Sequence, residues 1–299
     1  NLEPLRLLTT LGKTPPPSRE PEYEDFVQQT GFEFERDLEK AAFAIHYAAA
    51  GQNKSTETRY SEILQGRFEG SRVSAYLRQK SGKVEQYRGF DVYVIPLEGR
   101  TLRVALLGVD TAAVSNNNDP QVLHGMIDRY KQAALPFPGP ALVSNYYRKV
   151  PLGSMIWSIA HVPSSKSLPG RGELLLPGEW SEFLPQDSVV VASARPLKAV
   201  HLRAQVITSS DTEASNFTAR LNTFLALFKS LNISMEDGGS DPDVKAAFNS
   251  LEVHQEKNEA VLTATVPSGF FRKILSEPPV ELGPSTEKPQ GQQSPAAKP

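Results

Sequence analysis

The sequence predicts an α+β protein: antiparallel sheets with helices packed on one face, in two similar-sized regions that invite an internal-duplication reading. Three observations lead there. Short alternating apolar runs, suited to half-buried strands, are interspersed with amphipathic stretches at helical spacing. Two of the runs, Phe90 to Leu97 and Leu102 to Val109, are joined by the turn-like Glu98-Gly99-Arg100 and read as a hairpin. A proline cluster, Pro136-Phe137-Pro138-Gly139-Pro140, falls near the midpoint of the 299 residues, where alternate prolines disfavour both helix and paired strand. The chain therefore divides into a flexible N-terminal segment (1–22), an α+β domain (23–135), a proline-rich hinge (136–150), a second α+β domain (151–277) and a disordered tail (278–299). The tail holds six prolines and several glutamines, too little apolar surface to offset its chain entropy.

In the first region, Ala42 to Tyr47 and Tyr60 to Phe68 read as strands. Ser71 to Lys80 reads as a short helix with Val73, Tyr76 and Leu77 on one face. Asp119 is a helix N-cap and Pro120 a first helical residue, followed by Val122, Leu123, Met126, Ile127 and Tyr130 at helical spacing. In the second region, Met155 to Val162 and Ser188 to Ala194 are strands, separated by a Pro/Gly/Ser-rich loop from Pro163 to Gly178. From Val200 to Thr208 the alternation is clean: Val200, Leu202, Ala204 and Val206 point one way, His201, Arg203 and Gln205 the other. That pattern predicts an antiparallel strand with one face in water.

The clearest helix follows. Ser210-Asp211-Thr212-Glu213 is a capping-box sequence, and Ala214, Phe217, Leu221, Phe224, Phe228 and Leu231 then recur at steps of three and four. So apolar a face predicts a helix lying across a sheet. Asp241-Pro242 opens another helix, with Val244, Ala247, Phe248 and Leu251 on its stripe; Glu259 to Val266 is a final strand and Gly269 to Ser276 a final short helix. The matching Asp-Pro openings at 119 and 241 are what suggest duplication.

Composition narrows the chemistry. Lys and Arg number 32 against 34 Asp and Glu, and a formal net charge of -2 gives no electrostatic reason to expect nucleic-acid binding. No stretch reaches the roughly 20 apolar residues of a membrane helix. With no cysteine, the chain has no disulfide, thiolate metal site or cysteine nucleophile. A cysteine-free chain that starts at Asn1 reads as the mature part of a secreted protein.

No catalytic signature is present: no G-x-S-x-G elbow, no phosphate loop, no G-x-G-x-x-G after a strand and no H-E-x-x-H. The five histidines do not combine. His46 shares a strand face with Ala42 and Ala44, and His161 shares one with Trp157 and Ile159, where it is expected to be half-buried. His201 reads as a surface residue, His124 as an ion-pair partner of Asp128, and His254 as a residue following a helix. The acidic run from Asp237 to Asp243 lacks the distal glutamate of a calcium loop. Neither a metal site nor a cofactor is expected.

Two patches are candidate contact surfaces. Tyr146, Tyr147 and Arg148 follow the proline hinge, where grooves between domains often bind ligands, and would contact a protein or small ligand there. Trp180 and Phe183, preceded by Leu174-Leu175-Leu176, place large apolar groups in a loop that folds back onto the core or meets a partner.

The stretch Thr30 to Leu38 running into Ala41 to Ile45, together with Gln65-Gly66-Arg67-Phe68 and the helix that follows to Leu77, resembles uncharacterised bacterial envelope proteins. In those, a short acidic helix leads into a strand and a G-R-F strand end leads into a helix. The resemblance implies a secreted location and carries no assigned activity. The expectation is thus a non-enzymatic, extracytoplasmic binding or scaffold protein. The alternative is a hydrolase whose active site assembles from dispersed residues, marked by His46 or His161 beside a carboxylate and a hydroxyl in a deep pocket.

Overall fold

The computed structural model describes residues 21–46, 59–97, 99–132, 141–162, 183–234 and 242–270. The strands among them form two antiparallel sheets. The first has six: β1 (Leu38–His46), β2 (Arg59–Gly66), β3 (Lys83–Tyr87), β4 (Phe90–Leu97), β5 (Arg100–Leu106) and β6 (Thr111–Ser115), in the order β1-β2-β6-β5-β4-β3. The expected hairpin is there as β4 and β5, with Leu97 opposite Arg100 and Gly99 at φ 71 supplying the left-handed turn residue. β3 and β6 were not anticipated. One is the mixed Lys-Val-Glu-Gln-Tyr and the other the small-residue Thr-Ala-Ala-Val-Ser, so neither carries the branched apolar run that marks a strand.

Alternation along the strands separates two cores. Val92, Ala105 and Ala113 meet Leu123, Met126 and Ile127 of α4 (Pro120–Lys131) on one face. Their chain neighbours Tyr93 and Val104 meet Val73 and Leu77 of α3 (Gly70–Lys80) on the other. Each sheet thus carries helices on a face, and the first carries them on its second face as well. α4 begins as its sequence directs, with the Asp119 carboxylate accepting a hydrogen bond from the Gln121 amide at 2.9 Å and Pro120 in the first turn. Two further helices precede β1: α1 (Pro21–Thr30) and the single turn α2 (Phe34–Asp37).

The second sheet has five strands, β7 (Ile156–His161), β8 (Val189–Pro196), β9 (Ala199–Ile207), β10 (Glu252–Glu256) and β11 (Glu259–Pro267), in the order β10-β11-β9-β8-β7. α6 (Asp211–Ser234) sets Phe217 against Val206 and Ala260, and α7 (Pro242–Asn249) sets Ala247 against Val200 and Val266, on one face. α5 (Ala141–Tyr146) and a 3-10 turn (Tyr147–Lys149) run before β7. The capping box of α6 forms with an offset: Ser210 Oγ accepts from the Glu213 amide at 3.2 Å, while the Glu213 carboxylate reaches back to the Ser209 amide.

Two expectations are corrected here. The polar side of β9 is not a water face throughout, because Gln205 is 4% exposed and hydrogen-bonds Glu259. The apolar stripe of α6 is not buried along its whole length: Ala214 and Phe217 are buried, but Phe224 and Leu227 are about half exposed. The two Asp-Pro helices also hold different places. α4 directly follows the meander of the first sheet, whereas α7 follows α6 and leads into the β10/β11 hairpin. Asp-Pro opens many capped helices and marks no equivalence by itself. The Pro136 cluster, the loop from Pro163 to Gly178, Leu174 to Leu176, Trp180, and nearly all of the expected 269–276 helix lie outside the described residues.

One glycine fixes how β1 meets β2. A Cβ on Gly66 would stand 2.4 Å from the Asp37 carbonyl oxygen, a backbone atom that has no room to yield. At Gly70 a Cβ would meet nothing within 4 Å. Gly66→Ala should destabilise the protein by about 1–3 kcal/mol, as overpacking does, with Gly70→Ala neutral or slightly stabilising in the first turn of α3. Urea denaturation of the two variants checks this.

Candidate functional site

Six strands present a face wider than one helix can cover. α3 lies over β4 and β5 and reaches the floor through Val73 and Leu77. α1 runs alongside it, tied to it by side chains and meeting the sheet through Phe26, which packs against the Phe32, Leu38, Leu64 and Ala112 cluster. Arg72 of α3 donates to the carbonyls of Gln28 and Gln29 at 2.9 and 3.0 Å, closing the C-terminal end of α1. Gly31, at φ 73, makes the turn that ends that helix, and its amide donates to the Val27 carbonyl. At the other end Lys80 pairs with Asp25 at 3.2 Å. An aromatic cluster fills the angle: Phe26 meets Tyr76 edge-on, and Phe32 stacks on Phe68 at 4.7 Å between ring centres.

Between these parts lies a cavity of about 790 Å³. Its floor is Leu64, Ala112, Val114, Leu106, Val104, Leu102 and Ile95, all from one face of the sheet, and its roof is Phe26, Phe32, Phe34, Tyr76 and Leu77. Charge gathers where α1 begins and α3 ends, with Glu22, Asp25 and Lys80 beside Pro96 and Leu97. That size and lining are those of a small-molecule site.

One lining residue breaks the apolar floor. Glu62 on β2 sits opposite Phe43 of β1 and Val114 of β6, with Tyr60 two residues before it on the same face. It is half-buried and has no hydrogen-bond or ion-pair partner among the described residues. Burial pushes its carboxyl above the ordinary glutamate range. Asp25 is held low instead, first by the Gln29 amide and then by Lys80. The Tyr76 phenol is raised by burial.

The residues singled out from the sequence lie elsewhere. Tyr147 is 54% exposed and packs edge-on against Trp157 of β7, while Tyr146 is half-buried and Arg148 exposed. The neighbouring Lys149 pairs with the buried Glu259 on β11, which also accepts from Gln205, so this short turn is strapped across the sheet. Phe183 folds back on Phe217 at 5.7 Å, with the Arg220 guanidinium over its ring. None of these residues lines the cavity.

The histidines sort by contact. His46 Nε2 is 2.7 Å from Ser61 Oγ, which is 2.9 Å from Ser115 Oγ, so a base and a hydroxyl do come together. Ser61 is 5% exposed, however, and Ser115 1%. A hydroxyl so enclosed holds β1, β2 and β6 together and is not open to a substrate carbonyl. Burial lowers the His46 pKa. His161 is exposed on the edge strand β7 and not half-buried. His124 does not pair with Asp128: its ring stacks on Tyr87 at 3.8 Å, and Asp128 instead takes Arg88 and the Tyr87 hydroxyl. His254 lies in β10 and meets Glu256 at 2.9 Å. Among the described residues, no group of three or more His, Asp or Glu could hold a metal ion, and no helix is long and apolar enough to cross a membrane.

No family model and no curated protein matches the chain. Among solved structures, it is similar to TP0453 in its crystal form IV, with 9% identity and a TM-score of 0.40, over 87% of this chain and 85% of that one. The functional reading rests on the cavity.

Two outcomes follow from this geometry. A carboxyl raised by folding keeps its proton to higher pH than in the unfolded chain, so its stabilising contribution is full below the ordinary glutamate value and is lost as pH rises through the raised one. Glu62→Gln should match the parent below about pH 4, near the reference glutamate value, and melt at a higher temperature than the parent at neutral pH. Thermal scans across pH read the difference. A fluorophosphonate probe, which labels activated serines, should leave Ser61 unmodified by peptide mass analysis.

Proposed function

We propose that the chain is a non-enzymatic binding protein, extracytoplasmic in location, that takes an apolar small molecule into the cavity of its first sheet. The observation that carries this is the cavity itself: about 790 Å³, floored by aliphatic side chains and roofed by aromatic ones. An apolar occupant gains dispersion contacts with a lining of this kind and removes its apolar surface from water. Each methylene of a chain buried there contributes about 0.8 kcal/mol before the costs of association, enough for micromolar binding of a medium-length chain. The lack of cysteine and the resemblance to envelope proteins support the location. We read residues 23–135 as the binding unit and 151–277 as a second unit, with Tyr146, Tyr147 and Arg148 of the 136–150 hinge and Trp180 and Phe183 of the second unit as the candidate contacts for a partner.

The test is titration of the intact chain with N-phenyl-1-naphthylamine, a neutral dye that brightens in apolar surroundings. The expected result is saturable binding that Val114→Trp, which fills the cavity floor, abolishes while leaving the melting cooperative. Leu202→Ala, a partly exposed position on β9, should bind as the parent does. Unchanged dye binding by a folded Val114→Trp protein would overturn the reading.

A further inference from the structure

The cavity is chemically lopsided. Among the described residues its acidic lining is Glu22, Asp25 and Glu62, and its one cationic lining residue, Lys80, is paired with Asp25. An anionic head group would therefore meet an uncompensated negative wall. A neutral occupant would displace the water around Glu62 and leave its carboxylate with no counter-charge, which is costly. An ammonium head relieves both problems at once. The surroundings of Glu62 suit one: Tyr60, two residues before it on the same face of β2, lines the cavity with it, while Phe43 opposite on β1 is 66% exposed and stands outside that lining. Aromatic faces attract ammonium groups, more strongly where water is excluded.

We propose that the ligand is a cationic amphiphile, an apolar chain ending in an ammonium group, with the Glu62 carboxylate as its counter-ion and Tyr60 beside it in the cavity lining. This rests on the apolar-ligand reading of the same cavity and adds the sign of the head group. Selectivity comes from Glu62, while affinity comes from the chain. The carboxylate thus has a partner only in the loaded protein.

The experiment uses the intact chain loaded with N-phenyl-1-naphthylamine at neutral pH and displaces it with dodecylamine, dodecanol or dodecanoate, each below its micelle concentration. Dodecylamine should displace the dye at about ten-fold lower concentration than dodecanoate, the effect of one charge-assisted contact, with dodecanol between them. In Glu62→Gln the amine and acid should converge, with dodecanol unchanged. Equal displacement by amine and acid in the parent, or a preference that survives Glu62→Gln, would sink the head-group assignment and leave the apolar cavity standing. Failure of all three compounds to displace the dye would overturn the cavity reading and this inference together.

Discussion

The first sheet is wider than the helices that cover it, and most of what is distinctive in the molecule follows from that mismatch. Six strands at about 4.8 Å spacing span some 24 Å, whereas a packed helix covers roughly 10 Å. On one face α4 covers the middle of the sheet and the core beneath it is closed, with Val92, Ala105, Ala113, Leu123 and Ile127 all under 1% exposed. On the other, α3 takes the β4/β5 side, and the β2/β6 side is left to α1 and the aromatic residues near it. α1 is tied to α3 through Arg72 at one end and Lys80 at the other and meets the sheet only through Phe26 and its aromatic neighbours. The gap between roof and floor is the cavity.

Much of the architecture was readable in the chain. The hairpin at 90–106 showed in its two apolar runs and glycine turn, and α4 and α6 in their caps, because each of those signals is local. α1 was not, since its apolar stripe is only Tyr23, Phe26 and Val27 amid acidic residues, too short to mark a helix by itself. β6 was missed because alanine and serine suit a strand only when its neighbours on both sides are in place, as β2 and β5 are here. The site was less readable still. Its floor comes from four strands that are separated in sequence, and Glu62 looked like the polar position of an ordinary alternating strand. Only pairing with Phe43 and Val114 shows that its side of β2 faces an apolar space.

Polar groups buried elsewhere in the fold show what satisfaction looks like in this protein. In the first sheet His46, Ser61 and Ser115 form a chain of hydrogen bonds across three strands, ending on the Tyr60 carbonyl. In the second sheet Glu259, 7% exposed, is matched by Lys149 and Gln205, and the pairing also pins the turn before β7 to the sheet. Asp37, similarly enclosed, accepts from the Glu33 amide and from Arg36, and its carboxyl is held low chiefly by that arginine. Each of these groups has a donor in reach, and each thereby ties separate segments together.

Glu62 has no such hydrogen-bond partner among the described residues, as is also true of the His124 ring nitrogens and the Thr218 hydroxyl, but Glu62 alone of these lines the cavity. A half-buried carboxylate among Val114, Leu64 and Tyr60 is destabilising in the ionised form, as the raised carboxyl shows, and it ties nothing together. A glutamine of the same shape would remove the charge at no steric cost. The carboxylate therefore adds nothing to the empty fold beyond a localised negative charge in an apolar setting, where Coulomb interactions are stronger than in water. Such a charge discriminates among entering molecules by sign, because its own desolvation is offset only by a positive group. On the proposed reading, the floor supplies apolar contact to any chain of suitable size, and the charge that sorts those chains is the one at Glu62, away from the Asp25–Lys80 pair.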